Sequence, residues 1–453
     1  MSHGLIALFI ILGVIIGAII TRRCVEFMIL GALTCSLVLY QADFLTQWAI
    51  VFQDVLYAED SVWLVLVCCL FGSLIALLQA SKGTFGFSGL ISKICKNEKR
   101  TLFTSFILGI LIFVDDYLNI LSIGVCMKKV YDRNKLPRES LAYMLDSTGA
   151  PVCTLLPFST WAVFFGTLFF EQQSVIDLGY SNAIEAYTHA IPFAFYPIFT
   201  LIIIFAFTMG WFPKLGAMKK AFERTETTGK VYSDLSRKFN HDDEGESEQT
   251  GNIWDFIIPM VILVAIAVVT NDLLYAVIIS LFVCFIVYVP RKIVKLDNFI
   301  NIIITGFSDM LPTVTLVLMG FMLEAFVSQM GMTEYIIAEI TPYLSPALFP
   351  AIIFILVAFL TFTTGSNWGM SAVCIPIVFP LASAVGADTI LTMAAVMSGG
   401  AFGSHACFYS DATLLASASA GIDNIEHAAS QLPYVLVASG LSVIAFAVCG
   451  FMM

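Results

Sequence analysis

The sequence predicts an all-α polytopic membrane protein: inverted repeats with about ten transmembrane helices and two re-entrant hairpins of broken helix. Three observations predict it. The 453 residues are 59% hydrophobic and only 12% charged, with 39 Phe, whereas a soluble domain has roughly a quarter of its residues charged. Apolar runs recur from Leu5 to Phe451, and at about 1.5 Å per helical residue each approaches or exceeds a hydrocarbon core about 30 Å thick. Two runs break the alternation of crossings, and both carry polar residues midway.

Basic residues collect in cytoplasmic loops and orient the spans. They cluster at Arg22–Arg23, Lys82–Arg100, Lys128–Arg138, Lys214–Lys238 and Arg291–Lys295. Residues 4–20 therefore run from outside to inside, 25–42 return, and 61–80 run inward. The first run, Leu5–Ile20, has no basic n-region and no convincing small-residue cleavage site, so it reads as a retained span. Residues 101–127 have basic loops on both sides, which a simple crossing would split between faces. A re-entrant hairpin with arms Thr101–Phe113 and Leu118–Met127 and a tip at Val114–Tyr117 removes the conflict. Next, 139–170 runs outward and 189–212 returns.

Residues 213–252 are a polar cytoplasmic linker between two halves, 1–212 and 253–453. In the second half, 253–270 goes out, 272–290 comes back and 299–330 goes out. The stretch 346–385 is too long for one span and is interrupted at Thr363–Gly369, which makes it a second hairpin entering from outside. Finally 390–420 runs inward and 431–451 outward. The halves match with opposite orientation, each pairing a hairpin (101–127 or 346–385) with a broken span (139–170 or 390–420). "FVDDYLNILSIGVC" and "FTTGSNWGMSAVC" align on Asn119 and Asn367, and "GAPVC" aligns with "GSHAC". The 11 cysteines are scattered, without CxxC or metal spacing, and read as packing residues. The net charge of −11 owes much to acidic loops such as "HDDEGESEQ", and no basic stripe suits nucleic acid.

Polar residues fall where the hairpins and broken spans meet. Asp115, Asp116 and Asn119 lie at the first tip, and Asp146, Ser147, Thr148, Ser159 and Thr160 on the first broken span, where Gly149, Pro151 and Pro157 unwind the helix. Thr364, Ser366 and Asn367 lie at the second tip, and His405, Ser410, Asp411 and Thr413 on the second broken span. Hydroxyls, amide oxygens and freed carbonyls are hard ligands suited to Na+, and Asp adds the compensating charge. Within this set Asp116, Asn119, Ser366, Asn367 and Asp411 are the candidate Na+ ligands. Adjacent carboxylates in a low-dielectric setting cannot comfortably both ionise, so one holds a proton until a cation replaces it. Either Asp of the pair has an alternative role capping a hairpin arm or facing an Arg, and Asp146 and Asp411 have the alternative of capping the broken helices. Asp309, Glu324, Trp161 and Trp368 are secondary candidates.

These motifs resemble the NhaC family of sodium/proton antiporters within the wider ion transporter superfamily. The resemblance rests on "FVDDYLN" (113–119), "RESLAYMLDSTGAPV" (138–152), "STW" (159–161), "GSNWG" (365–369) and "SDATLLASASAGIDNIEHAASQLPY" (410–434). It implies a Na+/H+ antiporter of the cytoplasmic cell membrane that is not an enzyme. It further implies a homodimer with a scaffold and a mobile, elevator-like transport domain, and no cofactor beyond Na+ and H+ as transported or coupling ions. Ser404 stands where the family pattern carries an Asp, and Phe408–Tyr409 make the surroundings more aromatic. Relatives exchange organic acids such as malate and lactate or carry amino acids, which defines the alternative reading: a Na+- or H+-coupled carrier of a small carboxylate or amino acid. An intramembrane hydrolase fits less well, because the paired aspartates are adjacent in one segment and a dyad needs facing carboxylates. The repeat architecture also argues against a passive channel.

Overall fold

The structure, a computed structural model, describes residues 3–21, 23–83, 94–240, 251–270, 272–332, 344–365, 367–408 and 410–453, with Gly86, Ile91 and Tyr335. Every regular element among the described residues is helical, as expected where hydrocarbon offers the backbone no outside partner. The first half contains α1 (His3–Thr21), α2 (Cys24–Tyr40), α3 (Phe44–Tyr57), α4 (Glu59–Ser81), α5 (Glu98–Leu111) and α6 (Asp116–Arg133). It continues with α7 (Arg138–Thr148), α8 (Ala150–Leu155), α9 (Thr160–Phe170), α10 (Gln173–Ile176), α11 (Ala183–Ala190) and α12 (Phe195–Met209). After α13 (Gly216–Thr228) come α14 (Trp254–Thr270), α15 (Leu273–Tyr288), α16 (Leu296–Asp309) and α17 (Leu311–Gln329). The chain ends with α18 (Phe349–Thr364), α19 (Asn367–Val385), α20 (Thr389–Ala406), α21 (Asp411–Ala420) and α22 (Asn424–Met452). The protein is an α-helical polytopic membrane protein.

The basic loops gather on one face. Lys214 pairs with Glu98 at 2.9 Å, Arg138 with Asp132 at 2.7 Å, Arg224 with Glu139 at 2.8 Å, and Arg291 with Asp255. Asn134 Nδ2 donates to Cys95 O at 3.2 Å, which ties together the two ends of the segment holding the aspartate pair. That segment therefore enters and leaves on the same face. On the opposite face Tyr40 donates to Gln329 at 2.5 Å, and Ala347 packs on Gly450 near the end of α22.

Local chemistry moves some breaks from their expected positions. The first hairpin turns at Ile112–Asp115 rather than Val114–Tyr117, because Asp115 caps α6 and makes Asp116 and Tyr117 helical already. In the second, Gly365 closes α18 with φ of 70° and Asn367 opens α19, so the interruption is shorter than Thr363–Gly369. Pro151 sits in the first turn of α8, where a missing N–H is harmless. The wide break of the first span falls at residues 156–159. The two halves of that span bend by 43°, and α20 bends against α21 by 40°. The expected outward span 299–330 is divided into α16 and α17, and α3 forms in a stretch to which no span is assigned.

Small residues set the closest packing. Gly399 and Gly403 of α20 face Val357 and Thr361 of α18, and Thr361 Oγ1 donates to Gly399 O at 3.1 Å. Gly72 of α4 and Gly306 of α16 meet backbone to backbone, and a Cβ on either would collide with the other's carbonyl oxygen. Ser73 donates to Ile303 O at 2.9 Å beside them. Gly72→Ala is therefore expected to destabilise the protein by about 1–3 kcal/mol through overpacking. Thermal melting in detergent checks this: Gly72→Ala lowers the midpoint, whereas Gly440→Ala, whose Cβ would meet nothing within 4 Å, does not.

Candidate functional site

A hairpin tip at membrane depth leaves carbonyls that lipid cannot satisfy. Here neighbouring segments take them. Asn119 Nδ2 donates to Gly109 O at 2.7 Å, Ile112 O at 2.6 Å and, more weakly, Thr148 O at 3.3 Å. Thr160 N donates to Val114 O at 2.9 Å and Cys153 Sγ to Phe113 O at 3.2 Å, so the first broken span is stitched to the tip.

The two aspartates are buried but differently employed. Asp115 accepts from Leu118 N at 3.0 Å as the N-cap of α6 and from Thr160 Oγ1 at 3.2 Å. Asp116 has a buried Oδ1 with no hydrogen-bond partner. Asn119, one turn further along α6, likewise leaves Oδ1 buried and unpartnered, and residues three apart share a helix face. None of the ion pairs among the described residues engages Asp115 or Asp116. A cavity of about 30 Å³ lies alongside, lined among others by Asp115, Tyr117, Thr160, Phe164 and Trp368. That volume suits an ion or one or two waters. In its aromatic wall the ring centroids of Phe164 and Trp368 lie 4.5 Å apart, and Trp161 packs behind Trp368 at 5.2 Å.

The two helix breaks share one device. Ser159 caps α9, accepting from Ala162 N at 3.2 Å and donating to Cys153 O at 2.7 Å. Ser410 caps α21, accepting from Thr413 N at 3.3 Å and donating to Ser404 O at 2.5 Å. Each serine thus covers a carbonyl six residues back that the break would otherwise leave open.

A second buried cluster forms around Asp146. Its Oδ2 accepts from Gln431 Nε2 at 2.8 Å and Thr413 Oγ1 at 2.9 Å, and meets His427 Nε2 at 3.0 Å. Beside it His405 contacts Ser147 Oγ through Nε2 at 2.9 Å and Tyr196 OH through Nδ1 at 2.7 Å. The sequence residues thus divide between two centres instead of converging on one. Asp146 is not a helix cap, and Asp411 lies exposed in the first turn of α21, with Tyr117 OH 3.4 Å from its carboxylate. Asp411 is exposed and lies on the side of Tyr117, whereas Thr413 two residues on turns in to Asp146. Thr148 and Thr364 donate to carbonyls four residues back, at 2.7 and 2.8 Å. Asn367 accepts from Ser371 at 3.3 Å, leaves Nδ2 unpartnered and packs against Gly400. Ser366 lies outside the described residues. Asp309 is exposed, and Glu324 accepts from Gln172 at 3.2 Å beside a separate cavity of about 650 Å³.

His427, Gln431 and Tyr196 were not singled out from sequence. The first two had a signal, since "HAASQ" places them one helical turn apart on one face. Tyr196 had none.

A family model described as the Na+/H+ antiporter family matches residues 152–451. The chain belongs to the Na+/H+ antiporter family. It is thus a multi-pass membrane protein and a secondary transporter. The matched stretch holds the second hairpin and both wide helix breaks, and begins after the aspartate pair. An uncharacterized protein of Haemophilus influenzae is 25% identical over 474 residues, spanning 96% of this chain and 89% of that protein. A malate-2H(+)/Na(+)-lactate antiporter of Bacillus subtilis is 27% identical over 153 residues, 34% of this chain and 32% of the antiporter. Among solved structures, Neisseria gonorrhoeae MtrF, described with a class of antimetabolite efflux pumps, has a TM-score of 0.61 at 16% identity, covering 90% of this chain and 85% of that one. The Alcanivorax borkumensis YdaH transporter, described as having an unusual topology, has a TM-score of 0.64 at 13% identity, covering 91% and 90%. Both share the family member's fold.

Asn119 is the lock of the first tip. Asn119→Leu leaves its carbonyl partners unpaired and is expected to cost about 2 kcal/mol or more. The check is the melting midpoint in detergent, which falls in Asn119→Leu and stays near wild type in Ser371→Ala, whose hydroxyl touches only one amide oxygen at 3.3 Å.

Proposed function

We propose that this transporter exchanges Na+ for H+ across the cytoplasmic membrane, with cation and proton competing for Asp116. One observation carries the reading: Asp116 Oδ1 and Asn119 Oδ1 are buried acceptors on one face of α6 with no donor, and no ion pair among the described residues reaches the aspartate. A carboxylate in that setting needs a positive partner, either a proton or a metal ion. Asp115 is occupied as a cap and as acceptor from Thr160, so its charge is held in place while that of Asp116 is the one that changes. With a proton on Asp116 the pair carries one negative charge. Na+ binding to the oxygens of Asp116 and Asn119 displaces that proton, which leaves on the side to which the site is open.

The alternating exposure belongs to an inverted-repeat design in which residues 1–212 and 253–453 each supply a hairpin and a broken span, with 213–252 joining them in the cytoplasm. The matching serine devices at the two breaks support that pairing. Movement of one repeat-derived unit against the other accords with that design, and the family resemblance suggests a homodimer.

A second reading is coupled exchange of a small organic acid, such as malate or lactate, or an amino acid. The local similarity to the Bacillus subtilis antiporter supports it, as do the helix N-termini of α9 and α21 at the breaks, which suit a carboxylate. The cavity of about 30 Å³ beside Asp115 has room for a bare ion but not for a dicarboxylate.

Proteoliposomes with an imposed pH gradient separate the readings. Na+ is expected to dissipate the gradient in wild type, and Asp116→Asn to lose about 100-fold or more of that activity, as removal of an obligatory proton carrier does. Asp115→Asn keeps a competent cap and is expected to lose less. A response to malate but not to Na+ in wild type would select the second reading.

A further inference from the structure

The Asp146 cluster lies outside the chemistry just described. Asp146 and His427 are both fully buried, and among the described residues neither has a Lys or Arg ion pair. Three donors converge on Asp146 Oδ2, while Asp146 Oδ1, Gln431 Oε1 and His427 Nδ1 are buried without a hydrogen-bond partner.

The two histidines of the region differ in what they can accept. Both ring nitrogens of His405 are engaged by hydroxyls, those of Ser147 and Tyr196. His427 has one nitrogen on a carboxylate and the other unused. A proton arriving here is therefore best taken by His427, where imidazolium and carboxylate neutralise one another. Among the described residues the titratable groups facing the pair are Tyr196 of α12 and His405 of α20.

Position also matters. His427 lies in the opening turns of α22 on the face of the basic loops. The linker is tied to the start of this helix: Asp423 N donates to Ser236 Oγ at 2.9 Å, and Glu426 accepts from Ser233 at 2.8 Å and Ser236 at 2.5 Å. On the other side hydroxyls lead away from Asp146. Thr413 Oγ1 lies 3.0 Å from Ser410 Oγ, and the residue after Ser410, Asp411, accepts from Tyr117, the neighbour of Asp116.

We propose that Asp146 and His427 form a proton-loading station on the cytoplasmic side, distinct from the cation-binding residues Asp116 and Asn119. It rests on the reading that this transporter moves protons. A proton from the cytoplasmic side adds to His427 Nδ1, and Nε2 passes its own proton to Asp146 Oδ2. The result is one neutral carboxyl, one neutral imidazole in the other tautomer, and one proton gained.

The test uses full-length protein in proteoliposomes, as wild type, Asp146→Asn and His427→Gln, whose amide keeps a donor for Asp146. Two modes are compared: exchange of labelled for unlabelled Na+ at equal pH, and Na+ uptake driven by an outward proton gradient across a range of pH. Both variants are expected to lose at least about tenfold of the gradient-driven mode and flatten its pH profile, with a much smaller effect on Na+/Na+ exchange. Gradient-driven uptake and pH profile close to wild type in His427→Gln would overturn the station. Equal loss of both modes, or failure of both variants to fold, would also overturn it by making the pair structural. Wild type inactive with Na+ in both modes would instead retire the Na+/H+ reading, and the same comparison with labelled malate then decides the station.

Discussion

Non-helical backbone inside a bilayer must find its hydrogen bonds within the protein, and this constraint organises the molecule. The first hairpin exists only because its open carbonyls are met by Asn119, Thr160 and Cys153. The two span breaks survive because Ser159 and Ser410 each serve as cap and donor at once. Those same stitches draw the tip and the first span together. Where they meet, Asp115 and Asp116 are buried without an ion pair among the described residues.

Charge is handled differently in the two buried centres. At the tip, Asp115 is fixed by a backbone amide and a hydroxyl, while its neighbour keeps an oxygen unengaged. Around Asp146 the carboxylate is gripped by an amide, a hydroxyl and an imidazole. Tyr117, next to Asp116, meets Asp411 of α21, the helix that also supplies Thr413 to Asp146.

Much of the fold was legible because membrane physics leaves few options. Basic loops on both sides of 101–127 marked a segment whose ends the Asn134–Cys95 bond ties to one face, and the overlong apolar run at 346–385 marked one that Gly365 interrupts. What sequence did not resolve is local. Asp115 and Asp116 are chemically identical, and only the backbone conformation at Asp115, with φ of −153° and ψ of 139°, makes one a cap and the other a free carboxylate. Asp411 sits in a polar motif that reads as a site, yet its place in the first turn of α21 turns it outward, while Thr413 two residues later points in to Asp146. His427 was overlooked because it follows Glu426 at the start of a helix, a context typical of a solvated first turn. Tyr196 reached the site through tertiary packing alone, which no spacing records.

The decisive measurement is proton release when Na+ is added to the purified protein in weakly buffered detergent solution near neutral pH, followed with a pH indicator. Wild type should release protons in proportion to the Na+ bound, and Asp116→Asn should bind little Na+ and release almost none. Equal release from both proteins, or Na+ binding by wild type with no proton released, would contradict competition at Asp116.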